Sequence, residues 1–388
     1  MTAVHRVAMV AACPYPSGQG TQALIGELAR GMVARGHRVH LICYAHGGPA
    51  RREPFTIHRA WPVPGYRRLR AGPDPIKPLL DLGVAWRAAA VVRRCGCSLI
   101  HAHNYEGALA GWLAARSTGV PLLYHAHNLM QDELPRYFGH SGARAAARRL
   151  GWALDRSVPR LADRVIALHP PMAAALRECG VRPERLRVIA PGIDAAAWTL
   201  DGGAEPAGSA AGLRVAYCGN LDAYQELGVL FAAMRRVRAA HPAAELMLAT
   251  PNPPALARAA ARAHGAGDFT RVVAAADPDA TRKALAGCSL AVCPRSSPSG
   301  FPLKNLNAAA AGLPLVVCRG AAHGFAHGRS AVVVADGDAA AMAQAITELL
   351  RQPQRRAKLG RAGRALIRAR YTRERMCREV EEEWDALG

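Results

Sequence analysis

The residues of this 388-residue chain that could do chemistry are histidines and cations placed where strands end. His127 stands in Tyr124-His125-Ala126-His127-Asn128, after an apolar strand and ahead of Gln131-Asp132-Glu133-Leu134. An imidazole there faces the cleft side of an α/β domain, where it can donate or accept a hydrogen bond. His101-Ala102-His103-Asn104 repeats the pattern, and its histidines either line an acceptor pocket or serve the structure. Asp132 and Glu133 are the nearest acids. They suit acid–base work or, more ordinarily, capping of the helix that begins there. Strand-end spacing is not that of a helical histidine pair, so no metal is expected.

A second constellation suits anions. Ala291-Val292-Cys293-Pro294-Arg295 reads as a strand and its end, and Ser299, Gly300 and Phe301 as a loop. Pro302, Leu303, Lys304 and Asn307 open a helix that Gly312 and Pro314 close before the strand Leu315-Val316-Val317. Free N–H groups at such a helix start, together with its dipole, favour a phosphate. Arg295 would add a bidentate fork and Lys304 a point charge.

The elements that must position these groups alternate strand and helix. The first strand is Arg6 to Ala12, followed by a loop holding Gly18 and Gly20, a helix from about Thr21 to Ala34, and a strand Arg38 to Tyr44. Further strands are expected at Leu99 to His101, Leu122 to His125, Arg164 to Ala167 and Arg187 to Ile189. Residues 46–78, rich in Pro and Arg, read as a variable, partly ordered excursion with no strand assigned. The Gly- and Ala-rich stretch 199–212 is the linker candidate. Alternation then restarts with Arg214 to Cys218, a helix from about Gln225 to Ala240, and Glu245 to Ala249. Asp338 caps a helix to Leu350, and Arg364 to Leu387 reads as one charged helix. Two parallel-sheet layers facing a cleft follow from this order.

The stretch from Cys293 to Val317 resembles the donor-site signature of the retaining glycosyltransferases of family 4. Gly300, Phe301, Leu303, Ala308, Ala310, Ala311, Gly312, Pro314, Val316 and Val317 fit its frame, whereas Ser299 and Asn307 fall on its two acidic positions. Cys218-Gly219-Asn220-Leu221-Asp222-Ala223-Tyr224-Gln225 resembles its diphosphate loop, with Asn220 and Gln225 in the cationic slots. The resemblance implies a GT-B fold of two Rossmann-like domains: 1–198 for the acceptor, 213–363 for the nucleotide sugar, and 364–388 crossing back to the first. It implies retention at the anomeric carbon, no metal and no cofactor, the nucleotide sugar being a substrate. His127 corresponds to the active-site histidine. Gly18, Gly20, Gly219, Asn220, Gln225, Arg295, Ser299, Gly300, Phe301, Pro302, Leu303, Lys304 and Asn307 would hold the donor. His103 and Asn128 would meet the acceptor, a glycan or lipid-linked precursor. The uncharged Ser299, Asn307, Asn220 and Gln225 also admit a catalytically degenerate, sugar-nucleotide- or partner-binding member of the same fold.

Composition bounds the setting. No apolar run approaches the ~20 residues that span a bilayer, and the opening apolar run reads as a first strand, so a cytoplasmic protein is expected. Ten scattered cysteines read as small buried hydrophobes in a reducing compartment. The net charge of +21 comes from 50 basic residues, nearly all arginine. It favours anionic nucleotides and anionic lipid. Nucleic acid has no motif or aromatic interleaving behind it. Arg51, Arg52, Arg67, Arg68 and Arg70 form one basic group in the first half. Arg144, Arg148, Arg149, Arg156, Arg160 and Arg164, interleaved with Leu150, Trp152 and Leu161, form another. The second group suits an interfacial helix on the inner face of the cell membrane.

Overall fold

Short apolar strands separated by amphipathic helices leave parallel pairing as the way to bury both faces of a sheet. The computed structural model describes residues 4–48, 52–66, 72–200 and 213–388. Seven of its strands come from the first half: Arg6–Ala11 (β1), Arg38–Cys43 (β2), Thr56–Arg59 (β3), Leu99–His103 (β4), Leu122–Ala126 (β5), Arg164–Ala167 (β6) and Leu186–Val188 (β7). They form one parallel sheet in the order β3-β2-β1-β4-β5-β6-β7. Six more come from the second half: Arg214–Cys218 (β8), Glu245–Thr250 (β9), Thr270–Ala274 (β10), Leu290–Cys293 (β11), Leu315–Cys318 (β12) and Val332–Val334 (β13). Their order is β10-β9-β8-β11-β12-β13. These two helix-flanked parallel sheets have the GT-B architecture.

Register places the histidines. Ala11 lies opposite His103, and His103 opposite His125. The carboxyl ends of β1, β4 and β5 are therefore level, and His127 follows one step past β5. Side chains alternate across β4. Ile100 and Ala102 face the helix Asn104–Thr118, whose Gly111 sits against both. His101 faces the other way and accepts a hydrogen bond from the buried Trp384 indole at 3.2 Å.

Trp384 belongs to the last helix, Arg373–Asp385, which packs beside Gly20–Ala34 of the first half. The crossing is pinned at Ile193. Its N–H donates to the Tyr371 carbonyl at 3.0 Å, and its carbonyl accepts from Arg373 N–H at 2.9 Å. Buried acids on this helix then meet first-half cations: Glu381 takes Arg35 and His37, and Glu383 takes Arg164.

Three sequence expectations change. The excursion 46–78 contains a strand, β3, paired in parallel to β2; being short and partly polar, it left no apolar run to read. The single terminal helix is two, Pro353–Arg370 and Arg373–Asp385, broken where Tyr371 and Thr372 engage Ile193. The helix expected from Gln225 begins at Leu227, because Glu226 adopts a left-handed conformation with φ 54°. The linker candidate lies outside the described residues from 201 to 212, as do Arg51, Arg67, Arg68 and Arg70.

Candidate active site

His127 is buried just beyond β5, and its Nε2 lies 3.1 Å from His103 Nδ1. His101, His103, His125 and His127 form one block of imidazoles with ring centroids 4.5–5.4 Å apart between neighbours. Trp384 donates to His101 Nδ1, so His101 carries its proton on Nε2 and donates to His125 Nδ1 at 3.3 Å. Burial, aided by the neighbouring rings, holds His101, His103 and His127 well below the usual histidine range, and burial alone pushes His125 down to about 3. The block is neutral at physiological pH. His127 therefore works as a hydrogen-bonding group rather than a cation.

Nitrogens of His101, His103 and His125 come within 4.8 Å of one another. Both ring nitrogens of His101 are already in hydrogen bonds, so ligation by all three would break that ladder.

The loop between β11 and the helix Leu303–Ala310 reaches across to this strand end. Leu129 N–H donates to Ser299 Oγ at 2.8 Å. Gly300 has φ 74°, and a Cβ there would stand 2.5 Å from Asn128 Oδ1 and 3.1 Å from the His127 carbonyl. Only glycine fits such an approach. Arg295 donates to the Ser299 carbonyl, and its guanidinium lies 5.3 Å from the Tyr224 ring centre. Gly18 closes against Pro251 of the second half, where a Cβ would meet Pro251 Cβ at 2.4 Å. Gly20 opens the first helix and has open space around it.

Lys304 sits in the first helical turn with its ammonium donating to Gln225 Oε1 and, at 3.3 Å, to Tyr217 OH. It lies 4.4 Å from the Tyr217 ring centre. Burial pulls its pKa below the usual lysine value. Gln225 Nε2 donates to Asn220 Oδ1 at 3.0 Å, and Asn220 Nδ2 donates to Tyr224 OH at 2.9 Å. Gly219 has φ 148°, a conformation that favours glycine, and a Cβ there would stand 3.5 Å from Lys304 Nζ. Asn307 Oδ1 and Arg295 Nε are buried without a hydrogen-bond partner. The Phe301 ring packs at a tilt against His323 and Tyr371, with ring centres 5.3 and 5.7 Å away. Pro302 is the N-cap and Leu303 the first helical residue, one position later than the sequence suggests.

The structure thus joins the two constellations: His127 and Asn128 meet Ser299 and Gly300, and Lys304 meets Gln225. His103 has no exposed surface, so it reaches the cleft only through His127. Asp132 and Glu133 do not cap the helix Met130–Glu133. Asp155 does: its carboxylate accepts from Met130 N–H at 2.8 Å, from Gln131 N–H at 3.0 Å and from Tyr105 OH. Glu133 instead accepts from Tyr137 OH at 2.9 Å, and burial raises its pKa. Asp155 and Trp384 are far in sequence from the groups they hold, and no local motif announces them. Glu226, whose carboxylate bridges Arg136 at 3.1 Å and Ser296 at 2.5 Å, was equally silent.

Residues 18–197 match the family described as "Glycosyltransferase Family 4", and residues 212–352 match "Glycosyl transferases group 1". A D-inositol 3-phosphate glycosyltransferase of Gordonia bronchialis is 29% identical over 69% of this chain and 61% of its own length. One from Rhodococcus erythropolis is 37% identical over 25% of the chain and 22% of its own length. The chain thus spans less than two thirds of these relatives. In fold it is similar to sucrose-phosphate synthase from Thermosynechococcus elongatus, with TM-score 0.83 and 19% identity over 99% of both chains. It is also similar to Anabaena HepE in complex with UDP-glucose, with TM-score 0.77 and 16% identity over 99% of this chain and 100% of that one. Sequence matches along most of the chain and a whole-chain GT-B likeness agree with the donor-site frame: the chain belongs to the glycosyltransferases of family 4.

Proposed function

We propose that this glycosyltransferase takes a sugar from a nucleoside-diphosphate sugar and transfers it, with retention and without a metal, to a hydroxyl of a glycan or lipid-linked acceptor. The donor would bind 213–363 and the acceptor 1–198, with 364–388 bracing the first unit. The carrying observation is the contact of Ser299 and Gly300 with His127, Asn128 and Leu129. It sets the helix start suited to a diphosphate beside the histidine suited to the sugar.

Lys304 and Arg295 would stabilise the leaving diphosphate as its charge grows, with backbone N–H groups of the 300–303 turn beside them. Gln225 occupies the slot of the family's lysine and holds the Lys304 ammonium there. Asn307 Oδ1, buried and unpartnered, is an acceptor suited to a ribose hydroxyl. His127 would meet the sugar and Asn128 the acceptor. The inositol-phosphate transferase relatives favour a polyol acceptor, and the HepE complex favours a uridine nucleotide. The site of action would be the cytoplasm, with peripheral contact to an anionic membrane. Ser299 and Asn307, being uncharged, keep a non-catalytic donor-binding protein as the second reading. Titration with a panel of nucleoside diphosphates followed by donor-hydrolysis assays separates the two: binding with no turnover on any donor supports the second.

Lys304→Ala and Arg295→Ala are each expected to weaken diphosphate binding by about 1.5–3 kcal/mol, the worth of a charge-assisted hydrogen bond. Because the Lys304 pKa is lowered, its share fades as pH rises, earlier than for an ordinary lysine. Calorimetry at neutral and alkaline pH reads both effects. Unchanged affinity in both variants, with the fold intact, would remove these residues from the donor site.

A further inference from the structure

We propose that the helix layer made by Lys77–Cys95, Asn104–Thr118 and Ser141–Ser157 is the face that docks on an anionic bilayer. The three helices cover the same side of the first sheet: Lys77–Cys95 packs on Asn104–Thr118, whose Tyr105 bonds Asp155 of the third. The opposite side is taken by Gly20–Ala34 and Arg373–Asp385.

Two independent features of this layer point to lipid. The first is apolar. Of the fourteen large hydrophobic side chains exposed among the described residues, eleven lie on these helices or the segments abutting them; Val4, Val188 and Leu256 are the others. Leu79, Leu82 and Trp86 share one helical face at 52–61% exposure, and the Trp86 ring packs at a tilt against the exposed Trp61, with ring centres 4.2 Å apart. Trp152 is 49% exposed, with the Arg156 guanidinium 5.3 Å from its ring centre. A soluble face rarely collects so much apolar surface, and tryptophan suits the headgroup level.

The second feature is charge. The three helices hold eight arginines and Lys77 against three acids. Each acid is engaged inward: Asp81 with Tyr44 at 2.6 Å, Glu106 with Lys77 at 3.1 Å, and Asp155 as the helix cap. None of the eight arginines forms an ion pair among the described residues. A cationic, apolar face with its acids turned inward complements anionic headgroups over acyl chains. The sequence-level expectation confined this role to the arginine-rich helix; the structure widens it to the tryptophan pair and the leucine face of Lys77–Cys95. That helix starts at the carboxyl end of β4, where Lys77 meets Glu106, so docking would hold the cleft rim at the surface.

The inference rests on the reading of a glycan or lipid-linked acceptor. The test uses the full chain sedimented with vesicles of phosphatidylglycerol and phosphatidylcholine, or of phosphatidylcholine alone, at low and high salt. Two triple variants are compared, Leu79→Ser with Leu82→Ser and Trp86→Ser, and Arg148→Gln with Arg149→Gln and Arg156→Gln. The wild type is expected to bind only the anionic vesicles, with loss at high salt. The arginine triple should lose about a hundredfold in partitioning and the apolar triple at least about tenfold. No binding by the wild type at low salt overturns the inference, as does wild-type binding by both triples. A concentration-dependent dimer abolished by the apolar triple, without vesicle binding, overturns it too and makes the face a subunit contact. Nucleoside-diphosphate titration of the same proteins keeps the two proposals apart: intact diphosphate binding without vesicle binding sinks the docking face alone.

Discussion

Replacing His127 by alanine is expected to lower turnover about a hundredfold or more while leaving nucleoside-diphosphate affinity within about twofold, as for loss of one preorganised donor. The imidazole is buried at the strand end and paired through Nε2 with His103, while the His127 carbonyl lies beside Gly300. The cations proposed for the diphosphate have other partners, Lys304 at Gln225 and Tyr217 and Arg295 at the Ser299 carbonyl. Its contribution is therefore expected at the reacting sugar, as proposed above. The pH profile is a second check. Because burial holds His127 well below 6.5, the ring stays neutral from neutral pH down through the ordinary histidine range. Turnover should show no step near 6.5 from this group, and any loss from its protonation should appear only in stronger acid. Wild-type turnover in His127→Ala, or equal losses of turnover and diphosphate affinity, would contradict the assignment.

Asp155→Ala is expected to cost about 3 kcal/mol of stability. The carboxylate is fully buried and satisfies three donors at once, the N–H groups of Met130 and Gln131 and the Tyr105 hydroxyl. Each stranded donor costs about 1–3 kcal/mol, less whatever water recovers. Asp155→Asn retains an acceptor oxygen but turns an NH2 toward one of the donors, so an intermediate loss is expected. The damage should be local as well as global. Amide exchange at Met130 and Gln131 should accelerate more than in the second half of the chain, and catalysis should fall because this turn follows directly on His127, Asn128 and Leu129, which meet the Ser299 loop. If denaturation midpoint and exchange match the wild type, the cap is not what holds the turn.

The fold was legible wherever burial left an apolar run. β1, β2, β5, β6, β8 and β9 lie within a residue or two of where hydrophobic patterning puts them, and glycine and proline mark the helix Leu303–Ala310 at both ends. β3 was hidden because only His58 of its four residues is buried. The site was legible where one short stretch carries it, as with Gly300, Lys304 and Asn307. It was illegible where a group acts from a distance. Asp155 lies 25 residues from the turn it caps, and Trp384 lies 283 residues from His101. The sequence also misjudged Asp132 and Glu133, since acids in a first turn suggest a cap whether or not they reach the N–H groups.

The last helix has a consequence for the order of assembly. The side of the first sheet that carries His101 is sealed by Trp384, and Arg35, His37 and Arg164 find their acids at Glu381 and Glu383. Those residues follow both sheets in the chain and are made after them. While the second sheet, complete at Val334, can close earlier in synthesis, the first must wait with an uncovered apolar flank and unmatched cations until the helix Arg373–Asp385 has emerged. The sheet made earlier is thus the one completed later. A chain cut short before Arg373 would leave that flank open, a surface for chaperones to recognise.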